Sequence, residues 1–155
     1  MTNVADRMLE LLLFPLTDQR WVDLFQELEM HGTPLSKEMF GRVERTGREL
    51  VHYTSKMLGV RLYGEADGWF VTIHFWLGPT YTGDLPFGLR PDFSISDVRK
   101  LLGPPLNPPH KTAEPYSDKF ASQSFYFDPY QVCVWYSLAN ESLYEIRVMR
   151  TADRL

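Results

Sequence analysis

Residues 130–150 read Tyr-Gln-Val-Cys-Val-Trp-Tyr-Ser-Leu-Ala-Asn-Glu-Ser-Leu-Tyr-Glu-Ile-Arg-Val-Met-Arg. Apolar side chains recur at every second position, first in Val132, Val134 and Tyr136 and then in Tyr144, Ile146 and Val148. That period is the mark of half-buried strands, whose side chains alternate between two faces. Ala139-Asn140-Glu141-Ser142 is the turn between them, so Tyr130–Leu138 and Leu143–Arg150 form a hairpin. An aromatic strand at Ser124–Phe127 precedes it. Further upstream, Leu50–Thr54, Gly59–Tyr63 and Trp69–Leu77 are rich in β-formers, with Asp67-Gly68 as the turn before the last.

An amphipathic helix precedes each group of strands. In the first, Thr17 or Asp18 is the cap, and Trp21, Leu24, Phe25 and Leu28 follow the i, i+3, i+4, i+7 stripe. In the second, Ser94 with Asp97 three residues on opens a helix over Ile95–Leu102, which Gly103-Pro104-Pro105 ends. A third helix, Asn3–Phe14, is apolar on most sides and is stopped by Pro15. The links are irregular: His31–Gly47 with a short turn of helix at Lys37–Phe40, a Pro- and Gly-rich loop at Gly78–Asp92, and an exposed excursion at Leu106–Ser122. The expected fold is α+β, an antiparallel sheet with short helices on one face, in one domain spanning residues 1–155. The halves 17–77 and 94–150 share the order helix, link, three strands. A tandem duplication accounts for that order, as does the general similarity of any two hairpins.

Strand alternation divides the side chains between two faces. Val60, Leu62, Val71, Ile73, Phe75, Val132, Val134, Tyr136, Tyr144, Ile146 and Val148 fall on the face under the helices. Arg61, Tyr63, Phe70, Thr72, His74, Trp76, Gln131, Cys133, Trp135, Glu145 and Arg147 fall on the other. Aromatic rings, arginine and neutral polar groups are the composition of an interface core, whereas a solvated sheet face favours Lys, Glu and Thr. The alternative is that the protein's own N-terminal helix, or a second protomer, covers this face.

Composition narrows the function classes. The 155 residues include 44% apolar and 14% aromatic residues, enough for a core without staples, and the net charge of −4 lacks the basic footprint of a nucleic-acid ligand. The first helix lacks the layout of a secretory signal and no apolar run approaches the length of a membrane span, so a cytoplasmic protein with no membrane partner is expected. One cysteine, Cys133, permits no intramolecular disulfide and no cysteine cluster for a metal. His31, His52, His74 and His110 are scattered without ligand spacing, and no nucleophile elbow, phosphate loop or dinucleotide fingerprint is present. No catalytic residue, metal or cofactor is therefore assigned, and a small enzyme using His74 or Cys133 is the weaker reading.

The line Leu85-Pro86-Phe87-Gly88-Leu89, then Ser94-Ile95-Ser96-Asp97-Val98-Arg99-Lys100-Leu101-Leu102-Gly103-Pro104-Pro105, leads into an aromatic strand and two alternating strands. This resembles the β-lactamase-inhibitor-protein-like fold, a short helix ending in Leu-Gly-x-Pro followed by a small antiparallel meander, sometimes in tandem. It is also similar to small bacterial proteins with the same LPFGL line that are associated with toxin-neighbouring immunity genes. The resemblance covers residues 85–150, with a fainter echo over 17–77. It implies a cytoplasmic immunity protein, monomeric or weakly homodimeric, whose free sheet face occludes the active site of a cognate toxin domain. Asp84, Asp92, Glu114 and Asp118 would suit a basic surface on that partner. A non-enzymatic scaffold, a chaperone or a homodimeric structural protein is the alternative.

Overall fold

A computed structural model describes residues 4–34, 50–55, 59–65, 71–77, 81, 83–107, 110–111 and 119–150. Among these, the strands are β1 (His31–Pro34), β2 (Leu50–Ser55), β3 (Val60–Glu65), β4 (Val71–Trp76), β5 (His110–Lys111), β6 (Phe120–Phe127), β7 (Tyr130–Ser137) and β8 (Leu143–Arg150). They form one sheet in the order β1-β2-β3-β4-β8-β7-β6-β5, antiparallel at every junction. The seam is β4 against β8, with Ile73 opposite Val148 and His74 opposite Arg147. Counted outward from it, the strands run β4 to β1 on one side and β8 to β5 on the other, four on each side where three were expected.

Among the described residues, the α-helices α1 (Val4–Leu11), α2 (Gln19–Glu27) and α3 (Ile95–Leu102) pack on one face. Asp18 caps α2 by accepting from Arg20 N at 3.0 Å, and Trp21, Leu24 and Phe25 are buried beneath it. Phe25 stacks on Tyr53 of β2 with centroids 3.9 Å apart. Gly32 makes that possible, since a Cβ there would lie 2.5 Å from the Tyr53 ring. α3 opens with a capping box between Ser94 and Asp97 and ends at Gly103, whose φ of 89° suits glycine. Its Arg99 donates to Gln123 Oε1 of β6 at 2.8 and 2.6 Å, and Gln123 donates to Asn107 O, so a buried amide ties helix, loop and strand together. Tyr130 of β7 donates to Leu9 O of α1 at 2.9 Å. Val60, Leu62, Ile73, Phe75, Phe125, Val132, Val134, Ile146 and Val148 are fully buried in the layer between, each contributing on the order of 1.5–3 kcal/mol relative to exposure.

The structure corrects several boundaries. α1 ends at Leu11, short of Phe14, because Pro15 offers no N–H to Leu11 O and pushes Phe14 out of the helical region. β1 lies in the segment read as an irregular link, and β5 and the first three residues of β6 lie in the stretch read as an exposed excursion. Ser122 and Gln123 carry no apolar alternation, yet both are buried. In the loop before α3, Leu85, Pro86 and Leu89 are buried, and Phe87, at φ 62°, packs on Phe127 with centroids 4.7 Å apart. Tyr144 is not on the helix face. A bulge sets Tyr136 opposite Leu143 while Trp135 stays opposite Glu145, so Leu143 enters the core and Tyr144 turns to pack on Phe120 at 4.5 Å. The expected turns at Lys37–Phe40 and Asp67-Gly68, and the residues Trp69, Phe70, Glu114 and Asp118, lie outside the described residues.

Candidate binding face

On the side of the sheet opposite the helices, register places side chains in rows. One row runs Ser122, Trp135, Glu145, Trp76 across β6, β7, β8 and β4. The next runs Ser124, Cys133, Arg147, His74, Arg61, Thr54 from β6 to β2. A third runs Tyr126, Gln131, Met149, Thr72, Tyr63, His52. Two indoles thus flank one carboxylate, and each indole has an arginine on its diagonal. Arg61 lies over Trp76 at 4.2 Å and Arg147 over Trp135 at 4.7 Å, both in cation–π geometry.

The carboxylate is the hub. Glu145 is 8% exposed; its Oε1 meets His74 Nδ1 at 2.8 Å and its Oε2 accepts from Arg147 Nη2 at 3.1 Å. Burial pushes the Glu145 carboxyl up, but the His74 hydrogen bond and the Arg147 charge outweigh it and hold the group below the ordinary range. Burial also pushes His74 down, reinforced by Arg147 and Arg61, against the raising pull of Glu145. The pair at neutral pH is therefore a neutral imidazole donating its Nδ1–H to an ionised carboxylate. A ring ladder continues from it, with Tyr63 4.7 Å from His74 and His52 5.6 Å from Tyr63. Burial and Arg61 push His52 down as well.

Of the residues expected on this face, Arg61, Tyr63, Thr72, His74, Trp76, Gln131, Cys133, Trp135, Glu145 and Arg147 come together, and Phe70 lies outside the described residues. Asp84 and Asp92 do not join them. The Asp84 carbonyl accepts from Tyr81, whose ring packs on the core residue Phe75, and the Tyr81 phenol is pushed up to about 12 by burial and by Asp84 and Asp6 of α1. Asp92 pairs with Arg90 at 3.0 Å just before the α3 cap. Both acids belong to the helix side. Residues the sequence reading left out of the face are His52, Thr54, Phe120, Ser122, Ser124, Tyr126, Tyr144 and Met149. For the β2 and β6 residues, alternation extended outward from β3 and β7 was the signal that could have found them.

The face offers contact more readily than reaction. Arg147 stands between Cys133 and His74 in the register, and burial pushes the Cys133 thiol up, away from the thiolate a nucleophile needs. The thiol is expected to react with DTNB at pH 8 at least about tenfold slower than free cysteine, which a stopped assay at 412 nm would measure; an equal or faster rate would reveal an activated thiolate. Among the described residues no three His, Cys, Asp or Glu side chains are placed to hold a metal ion, and no helix is long and apolar enough to cross a membrane. Comparison with known protein families, curated proteins and solved structures gives no match.

Proposed function

We propose that this chain is a non-enzymatic, cytoplasmic immunity protein that lays the helix-free face of its sheet over a cognate toxin domain. One observation carries the binding part: Trp76 and Trp135, each stacked with an arginine, flank a carboxylate already held by His74 and Arg147. Trp and Arg are the residue types that dominate interface energetics, and here neighbouring strands fix their geometry before any partner arrives, which lowers the ordering cost of association. A standard interface buries about 1,600 Å² in total, an area that a sheet of this width can offer. The toxin assignment rests on the resemblance of residues 85–150, carried by the LPFGL and LGPP segments, and supplies the class of partner.

The proposal expects a large gene directly upstream with a toxic C-terminal domain, and co-expression with that domain tests it. The chain should restore growth and co-purify with that domain. Trp76→Ala and Trp135→Ala should each weaken the complex by about 2 kcal/mol, near thirtyfold in Kd, while moving the urea midpoint less than the core variant Val134→Ala. Wild-type affinity in both Trp variants would remove the face from the binding site. Sedimentation as a dimer that the same two substitutions dissociate would make it a self-interface instead.

A further inference from the structure

We infer that Arg147 is a positioning residue of the open face, fixing the Trp135 indole as a preset anchor while Trp76 keeps more freedom. The inference rests on the open-face reading and goes beyond it by giving the two indoles different parts. Each is stacked by an arginine, Arg147 over Trp135 at 4.7 Å and Arg61 over Trp76 at 4.2 Å, but the two arginines are not held alike. Arg147 Nη2 donates to Glu145 Oε2 at 3.1 Å, and Glu145 Oε1 accepts from His74 Nδ1 at 2.8 Å. The guanidinium that covers the Trp135 ring is thus tied, through a buried carboxylate, to a side chain of β4. Among the described residues Arg61 makes no hydrogen bond or ion pair beyond its stack on Trp76.

Register explains the difference. Cys133 and Trp135 of β7 lie opposite Arg147 and Glu145 of β8, so the stacking arginine and the carboxylate that holds it rise from one strand, two residues apart, directly beside the indole. Arg61 rises from β3, where the residues two positions away on either side are Gly59 and Tyr63, neither of them an acid. The Trp135 clamp also has a cost: Trp135 Nε1–H and Arg147 Nε–H are buried and donate to nothing. Buried donors without acceptors detract from stability, and a well-packed apolar cluster in place of a buried ion network is often as stable. What the clamp adds over apolar packing is direction, because a planar guanidinium held at its fork fixes the ring stacked on it. An indole fixed before association escapes the ordering cost that a loose side chain incurs on binding.

The test begins with the free, full-length ¹⁵N-labelled chain. Heteronuclear NOEs of the indole N–H groups report picosecond-to-nanosecond motion, and Trp76→Phe and Trp135→Phe assign them. Trp135 should be as rigid as the sheet backbone and Trp76 looser. Arg147→Met keeps the stem without the fork and should lower the Trp135 NOE to the Trp76 level, while Arg61→Met should leave Trp135 unchanged. Arg147→Lys should not restore rigidity, since an ammonium cannot lie flat on the ring and hold the carboxylate at once; it is also the variant to read if Arg147→Met fails to fold. In titrations with the toxic domain of the proposed upstream gene, each Arg147 variant should weaken binding about threefold to tenfold, the ordering cost of one side chain. That loss should vanish in a Trp135→Ala background, because Arg147 acts through the indole. A Trp135 NOE indifferent to both Arg147 variants overturns the inference alone, as does a loss of affinity that persists in full with Trp135→Ala, which makes Arg147 a contact residue. No binding by the wild-type chain, or wild-type affinity in Trp76→Ala and Trp135→Ala, removes the open-face reading and the inference with it.

Discussion

Glu145→Ala is expected to lower the free energy of unfolding by about 3–5 kcal/mol, the usual cost of removing one member of a buried charged network. The carboxylate is 8% exposed between two indoles, and its loss leaves Arg147, already carrying an Nε with no hydrogen-bond partner, without its counter-charge. Glu145→Gln keeps the shape and should cost about half as much, because an amide still accepts from one donor. The same network sets a pH dependence. His74 titrates below its ordinary 6.5 in the folded chain, so the unfolded chain takes up that proton first and stability begins to fall as the pH drops through 6.5. Glu145 titrates below its ordinary 4.5, so its contribution is complete above 4.5 and is lost as the pH falls through the folded value. Both slopes have one sign; Glu145→Gln should remove the part below 4.5 and, by taking away the pull that raises His74, carry the His74 part further to lower pH. Urea midpoints from pH 8 to pH 4 would show this, and a midpoint in Glu145→Ala within about 0.5 kcal/mol of wild type would mean that the network adds no stability.

Trp21→Ala should be comparably severe, at about 3–5 kcal/mol, and for a different reason. The Trp21 side chain is fully buried, stacks on Phe25 at 5.5 Å and donates its indole N–H to Phe14 O at 3.1 Å, closing the end of the segment that follows α1. Truncation leaves a cavity beneath α2 and an orphaned carbonyl where α1 hands over to α2. Trp21→Phe, which refills most of the volume, should recover more than half of the loss. Leu13→Ala, at a side chain 39% exposed, is the control and should stay within about 0.5 kcal/mol. Thermal or urea unfolding followed by circular dichroism ranks the three; similar midpoints for Trp21→Ala and Leu13→Ala would contradict the packing described.

What could be read from the sequence follows the range of the interactions. The α2 stripe, the Ser94–Asp97 capping box and the hairpin of β7 and β8 are signals within a few residues, and the structure has them where expected. β1 was illegible because His31-Gly32-Thr33-Pro34 carries no strand propensity; it pairs because Tyr53 lies across Gly32. The start of β6 was illegible because Ser122-Gln123-Ser124 looks like a loop until Arg99 and Asn107 satisfy Gln123. Tyr144 was assigned to the wrong face because strict alternation cannot register one bulged residue. His74, Glu145 and Arg147 were each placed on the correct face, but the bond between His74 and Glu145 spans 71 residues and depends on the register of β4 against β8, which no local pattern encodes.

The seam has a consequence for the nascent chain. β4 is complete at Trp76, whereas its neighbour β8 begins only at Leu143. As the ribosome advances, β1 to β4 can assemble while the outer edge of β4 offers unsatisfied N–H and C=O groups beside Val71, Ile73 and Phe75. At about 5–20 residues per second, the intervening stretch takes several seconds to synthesise. Throughout that interval the half-built sheet presents an edge to which an extended strand from another polysome can be added as readily as its own. β8, once it emerges, thus acts as the internal stopper against co-translational aggregation, and truncations ending before residue 143 should accumulate as insoluble material while the 155-residue chain does not.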